Sequence, residues 1–312
     1  MTMLKVVFSV IVPTHNRPHV LARTLDFLEG QHADVAFEVI VVDDCSTAAL
    51  PDLGLGRGGR ASWMLLRNAR NLGRAATRNR GIRKARGEYI LMIDDDIWAS
   101  AGLLQAHYEA QTRIGGGVVV GSLPIASGVK RDIWNEYHRS WVDGLHKTMK
   151  TRRDDLPYNF FFTGNVSIPR KLLEDAGLFD ESFPGYSGED TELGYRLKKM
   201  GVRFIHEPLA IGEHYDIETL ESLLFKSRQM GRAAFVLARL HPELSRELSV
   251  AGLLAPGRAW YQLFMSGRLL SPVRVLCRIM GALRLNAPCL FFLRKLREAY
   301  GGLGLKEAIN AD

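Results

Sequence analysis

The stretch Tyr89-Ile90-Leu91-Met92-Ile93-Asp94-Asp95-Asp96 decides how this chain is read. Its first five residues form an apolar run of strand length, and three carboxylates stand at its end. Like charges this close raise one another's pKa, so the triplet needs cationic company. A hard divalent cation with oxygen ligands would turn the cluster into a binding site. The ordinary alternative is helix capping, with Asp96 or Ser100 at the start of the helix predicted over residues 103–113. A cap uses one acid and here there are three. On the triplet alone the two readings stand even.

Around this run, the first 120 or so residues alternate short apolar runs with helical periodicity, the signature of an α/β unit with a mostly parallel sheet. Residues 6–12, 39–42, 62–66, 89–93 and 115–121 are predicted strands. Residues 19–28 are a predicted helix with Val20, Leu21, Leu25 and Leu28 on one face, and a basic helix follows Gly73 to Arg86. Polar residues gather just past the strand ends at Thr14-His15-Asn16, Asp43-Asp44 and Asp94 to Asp96, the edge where open α/β sheets bind ligands. Further on, residues 170–175, 191–200 and 218–240 read as helices, and residues 203–205 as a strand that His214 follows after a short connection. Residues 124–159 have no clear period. Their aromatics, Trp134, Tyr137, Trp141 and Tyr158, read as a local minicore, with a substrate-covering loop as the alternative.

A chain of 312 residues can bury a large core as one large domain with an appendage or as two smaller domains. Cys45, Cys277 and Cys289 form neither a close pair in sequence nor a metal-type spacing, and their odd number argues against a disulfide framework. The N-terminus lacks a signal-peptide layout. These features predict a cytoplasmic protein. The net charge of +7 is concentrated: residues 248–297 hold eight cations and no acid, and taking those eight from 41 leaves 33 against 34 acids. A cationic, apolar-rich segment without acids reads as an interfacial helix for anionic lipid. Its apolar runs are too short to span a bilayer. A helical hairpin packed on the core, with its arginines exposed or at a dimer interface, is the alternative, and nucleic-acid binding ranks third because no recognised motif accompanies the charge.

Six patches then align with one family. They are residues 9–18 (Ser-Val-Ile-Val-Pro-Thr-His-Asn-Arg-Pro), 41–47 (Val-Val-Asp-Asp-Cys-Ser-Thr), 71–81 with Asn71-Leu72-Gly73 and Arg78-Asn79-Arg80-Gly81, 87–96, Thr163-Gly164-Asn165, and 188–196 (Gly-Glu-Asp-Thr-Glu-Leu-Gly-Tyr-Arg). In order and spacing they resemble the family 2 glycosyltransferases of GT-A fold over roughly residues 6 to 215. The resemblance implies a Rossmann-like α/β sandwich with a mostly parallel central sheet, here followed by a C-terminal helical extension. It divides the chain into a GT-A domain (1–242, with a nucleotide-sugar half at 1–121 and an acceptor half at 122–242) and a basic amphipathic extension (243–312).

The same resemblance implies the site. Pro13, Thr14, His15 and Asp44 would hold the nucleotide base, and Arg78 would face the base or phosphates, unless it is simply one solvated cation of a basic helix. Asp94 would approach the ribose and Asp96 the metal, with His214 as a third ligand, Glu213 as its alternative, and Asp95 ambiguous because any adjacent pair could serve. Asp190 of the Glu189-Asp190 pair would be the general base, whereas its bland reading is a helix cap. Cys45 departs from the glycine common in the family, and a side chain there disfavours positive φ. Manganese or magnesium suits such ligands. The implied activity is inverting transfer of a sugar, a UDP-sugar by preference, to the hydroxyl of a glycan or lipid-linked acceptor in surface polysaccharide or glycolipid assembly. The protein would then be cytoplasmic or peripheral on the inner face of the membrane, held through residues 253–297. Alternatives are a catalytically silent nucleotide-sugar or glycan-binding protein and, ranked lower, a nucleotidyltransferase, because Pro13-Thr14-His15-Asn16 offers no glycine-rich triphosphate loop. Donor sugar, acceptor and oligomeric state leave no readable pattern.

Overall fold

The computed structural model describes residues 5–50, 61–183, 185–245 and 270–312. They form two compact units, one of Met1–Val129, Trp141–Glu181 and Glu189–Asp216, the other of Lys130–Ser140, Ser182–Gly188 and Ile217–Asp312.

Among the described residues, the first unit is built on eight strands: β1 (Phe8–Thr14), β2 (Phe37–Asp43), β3 (Ala61–Arg67), β4 (Tyr89–Ile93), β5 (Ile97–Ala99), β6 (Val118–Ser122), β7 (Asn165–Pro169) and β8 (Phe204–His214). They form one sheet in the order β3-β2-β1-β4-β7-β6-β8-β5. The pairs β1–β2, β2–β3, β1–β4 and β6–β8 are parallel, while β7 runs antiparallel to β4 and β6, and β5 antiparallel to β8. The central strands are covered on both faces, so β1, β2 and β4 read as nearly unbroken apolar runs. Val10, Ile11, Val12, Val39, Ile40, Val41, Leu91, Met92 and Ile93 are all completely buried. Edge strand β3 is half-buried along its length.

From β1 the chain steps outward to β2 and β3 on one side, and β4 takes the other. The direction of crossover therefore reverses between β1 and β4, and the carboxyl ends of those strands flank the crevice where such sheets bind ligands. Thr14 and Asp94 stand at those ends. Helices α1 (Pro18–Glu29), α2 (Arg74–Ile82), α3 (Leu103–Ile114), α5 (Arg170–Asp175) and α6 (Glu189–Lys199) complete the unit, together with the later turns of α4 (Ile133–Thr151). Gly81 lets α2 lie close on the sheet: a Cβ there would stand 2.8 Å from Ile11 Cγ2 and 3.0 Å from Val42 Cγ2.

The second unit contains the first turns of α4 with α7 (Leu220–Leu240), α8 (Leu270–Ala282) and α9 (Asn286–Ala311). Its core gathers Leu220, Leu223, Leu224, Leu270, Met280, Leu293 and Leu296. Helices α7 and α9 approach backbone to backbone: a Cβ on Gly231 would collide with the Gly301 carbonyl, and one on Gly304 with the Arg228 carbonyl. Glu307 closes this crossing with ion pairs to Arg228 and Arg232.

Several sequence expectations are corrected here. The stretch without a period, 124–159, contains the 19-residue helix α4. His214 does not follow a short strand but is the last residue of β8, eleven residues long. Helix α3 starts after Gly102 with no side-chain cap, so neither Asp96 nor Ser100 caps it. Cys277 and Cys289, distant in sequence terms, meet with sulfurs 3.6 Å apart as buried free thiols. Of the basic stretch 253–297, residues 253–269 lie outside the described residues. Among the described residues no helix is long and apolar enough to cross a membrane.

Gly194 lies where α6 meets the 3-10 turn Tyr158–Phe160. A Cβ there would run into the Tyr158 carbonyl and stand 3.0 Å from Phe161 Cβ. Gly194→Ala is expected to lower stability by about 1–3 kcal/mol through overpacking, read as a lower urea midpoint at unchanged slope. An unchanged midpoint would refute that packing account.

Candidate active site

The acidic triplet sits at the end of β4, and each carboxylate has a different environment. Asp95 turns into the protein: its Oδ2 accepts from Thr14 Oγ1 at 2.7 Å and its Oδ1 from Arg17 Nη1 at 2.8 Å, while Thr24 Oγ1 donates to its backbone carbonyl at 2.7 Å. Burial pushes its pKa up to about 6 against the opposing charge of Arg17. Asp96 accepts from the same Arg17 Nη1 at 2.8 Å through Oδ2. Its Oδ1 is buried, accepts no hydrogen bond, and lies 3.4 Å from His214 Nε2. Burial alone would raise Asp96, yet His214 and Arg17 hold its carboxyl below the usual carboxylate range. Asp94 is the most open of the three and pairs with Arg78 at 2.8 Å.

His214 owes its place to sheet register. Antiparallel pairing of β5 with β8 sets Ile97 opposite His214, and the Tyr215 N–H donates to the Asp96 carbonyl at 2.9 Å. The imidazole is thus fixed beside the triplet by backbone bonds. Burial lowers its pKa, but the carboxylates of Asp96, Asp216 and Asp94 together outweigh this and raise it. Glu213, the neighbouring acid weighed as its alternative, is exposed, because successive strand side chains point to opposite faces.

Arg78 is the unexpected centre of the site. Far from being a solvated helix cation, it is 1% exposed. Its Nη2 donates to Asp94 and its Nη1 to Glu189 Oε1, both at 2.8 Å, and the guanidinium faces the Phe179 ring. Asn79, next along α2, exchanges hydrogen bonds with the Phe179 backbone and donates to Glu181. These bonds secure the segment leading towards α6. Glu189 is buried, and its second oxygen has no hydrogen-bond partner. Asp190, in the first turn of α6, is half-buried and accepts from the Thr191 N–H at 2.7 Å, which is not the bond of a helix cap. Burial first, and then the neighbouring Glu189 charge, push Asp190 up to about 6.

Asp44 anchors the loop after β3. Its Oδ1 accepts from Asn68 Nδ2 and the Leu72 N–H, each at 2.8 Å, and its Oδ2 from the Gly73 N–H at 2.9 Å. Gly73 adopts φ 86°, where a side chain would be strained. Cys45 does take the left-handed conformation, at φ 63°, so the turn usual for glycine is kept. Ser46 supports it by donating from its N–H to Asp43 at 3.0 Å. His15 donates through Nδ1 to the Asp44 carbonyl at 2.8 Å.

Pro13, Thr14, His15, Asp44, Arg78, Asp94, Asp95 and Asp96 line one cleft, together with Arg17, Arg74 and Thr77, which sequence reasoning had not singled out. Arg17 lies inside the motif at residues 9–18, and an acidic triplet's need for a counter-charge is the signal in the sequence that points to it. The motif residue Asn165 is completely buried and structural: its Nδ2 donates to the Ser122 and Ala210 carbonyls at 3.1 and 2.9 Å. Two carboxylates and an imidazole, those of Asp94, Asp96 and His214, are donor types that suit a divalent cation, and Asp96 Oδ1 is buried without a hydrogen bond. Arg17 faces the carboxylates of Asp95, Asp96 and Asp216, and Arg78 those of Asp94, Glu189 and Asp190.

The chain matches the family model "Glycosyl transferase family 2" over residues 9–177 and "N-terminal domain of galactosyltransferase" over residues 143–220. It belongs to glycosyltransferase family 2. The hyaluronan synthase of Pasteurella multocida is 31% identical over 224 residues, which is 63% of this chain but 23% of that protein. The chain thus spans under a quarter of that relative's length. Among solved structures, the fold is similar to the mannosyltransferase PcManGT from Pyrobaculum calidifontis in complex with GDP-Man and Mn2+ (TM-score 0.65, 20% identity, 98% of this chain and 88% of that one). It is also similar to S. aureus TarS 1-349 in complex with UDP-GlcNAc (TM-score 0.55, 17% identity, 98% and 92%).

Removing Arg78 would leave Glu189 buried and uncompensated. Arg78→Met is expected to destabilise the protein by about 3–5 kcal/mol, measured by urea denaturation. A loss under about 1 kcal/mol would mean that the two ion pairs are dispensable to the fold.

Proposed function

We propose that this chain is an inverting, metal-dependent glycosyltransferase that moves a sugar from a nucleoside-diphosphate donor, a UDP-sugar by preference, to an acceptor hydroxyl. The observation that carries the reading is the pair of acidic groups on separate elements, the triplet ending β4 and Glu189-Asp190 opening α6, joined by buried Arg78. A binding module needs no second carboxylate poised near neutrality.

In this reading Asp94, Asp96 and His214 hold a magnesium or manganese ion, which when bound supplies Lewis-acid charge against the departing diphosphate. Pro13, Thr14, His15 and Asp44 receive the nucleotide, and residues 1–121 form the donor half. Residues 122–242 form the acceptor half. Asp190, deprotonated, takes the proton of the acceptor hydroxyl; the new bond to the anomeric carbon forms on the face opposite the diphosphate, whose own bond to that carbon breaks. A pKa of about 6 leaves Asp190 mostly ionised at neutral pH while still basic enough to accept a proton. Glu189 has two tasks: it holds Arg78, and its charge helps to keep Asp190 basic. Asp95 serves the architecture, holding Thr14 and Arg17 against the cleft. Surface polysaccharide or glycolipid is the proposed acceptor class, supported by the likeness to a hyaluronan synthase.

Screening nucleotide sugars with manganese and with chelator tests the proposal. Asp190→Asn is expected to lower turnover by about 10²–10⁴-fold while nucleoside-diphosphate binding with manganese, followed by calorimetry, persists. Asp96→Ala is expected to lose both. Wild-type turnover in chelator, or unchanged turnover in both variants, would overturn the assignment.

The pH profile supplies a separate check. As pH rises through about 6, Asp190 ionises and kcat/KM should climb along an ascending limb. Glu189→Gln removes one of the charges that raise Asp190, so the limb should move to lower pH. A limb that stays in place, or moves upward, would exclude Asp190 as the titrating base.

A further inference from the structure

Helix α8 is apolar on both faces. Leu270, Cys277 and Met280 enter the core of the second unit, whereas Val275, Leu276, Ile279 and Leu283 stand on the opposite side, each more than 40% exposed. At 100° per residue Val275, Ile279, Leu283 and Leu276 fall within one stripe about 100° wide. Leu285 (48%), in the turn beyond the helix, and Phe291 (58%), on α9, are exposed as well. A helix with apolar residues on two opposite sides is expected to have both covered, and a row of exposed apolar side chains of this kind marks an interaction surface.

The charge around the patch says what would cover it. Residues 270–297 contain six cations and no acid. Arg274 and Arg278 pair with Glu221, and Lys295 with Glu298, which leaves a local excess of four positive charges. Arg284, at the α8–α9 turn between Leu283 and Leu285, and Arg294, one turn beyond Phe291, are exposed and form no ion pair among the described residues. A second copy of the same face would bring these arginines against one another, which like-charge repulsion opposes. An apolar stripe rimmed by arginines instead matches a surface with acyl chains beneath and negative headgroups around.

We infer that the α8–α9 hairpin is a peripheral membrane-binding face, with Val275, Ile279, Leu283 and Phe291 entering the headgroup–acyl boundary while Arg284 and Arg294 engage anionic headgroups. The inference does not depend on the sugar-transfer reading, and its test involves no turnover. The full chain is floated with vesicles of phosphatidylcholine alone or mixed with phosphatidylglycerol. Wild type is expected to float with the mixed vesicles and to be released by salt.

The triple variant Val275→Ser, Ile279→Gln, Leu283→Gln alters only exposed positions and should stay in the soluble fraction at every salt concentration. Arg284→Gln with Arg294→Gln should partition about tenfold more weakly or less still, and lose most of its salt sensitivity. Circular dichroism and light scattering accompany each protein. Three outcomes overturn the inference: wild type that does not float, variants folded like wild type that partition as it does, or a triple variant that changes a dimer to a monomer without changing flotation, which would assign the face to a second copy.

Discussion

A single buried guanidinium carries the organisation of the candidate site. Arg78 would be expensive to desolvate alone. It is tolerated because Asp94 and Glu189 each accept one of its hydrogen bonds, and those two acids would in turn repel each other and their acidic neighbours without it. The strand end at β4 and the start of α6 are therefore held together by mutual need for charge. Arg17 does the same for Asp95 and Asp96 from the other side of the triplet. The cluster still carries more negative than positive charge, which is the electrostatic condition for recruiting a further cation.

Much of this was legible in the sequence, because the physics was local. A strand buried on both faces must be apolar along its length, so β1, β2 and β4 announced themselves, and the carboxylates after them could be placed at the sheet's carboxyl edge without coordinates. Helix α4 was not legible. Its buried positions, 135, 138, 142 and 149, have helical spacing, but two are Asn135 and His138, so the apolar pattern that reveals a helix is absent. Asn135 is buried as a hydrogen-bonding residue, donating to Asp132 and accepting from the Glu218 N–H. Periodicity of hydrophobicity cannot register a face satisfied by polar bonds.

The site shows the same division. Residue types suited to a metal and a base could be picked out one at a time, and the family resemblance ordered them. Their partners could not, because Arg17, Arg78 and Asp95 take their roles from contacts spanning up to 111 residues of sequence. A cation in a basic helix and a cation buried between two carboxylates look alike in one dimension. Cys45 shows the converse: its residue type warned against a left-handed turn, and the bonds around Asp43, Ser46 and Asp44 impose that turn regardless.

The last residue of β8 has a consequence for how this chain can vary. Side chains on a strand alternate, so the identity of the group beside Asp96 is fixed by parity: His214 faces the triplet, and Glu213 is its mirror on the other face. Gaining one residue within the β5–β8 ladder ahead of His214 would present the Glu213 carboxylate where the imidazole stands, turning an ion pair into a repulsion, and losing one would present Tyr215 there instead. Length changes beyond Tyr215 leave that parity intact. Variation among relatives should therefore tolerate insertions after β8 freely and exclude odd-numbered ones within it.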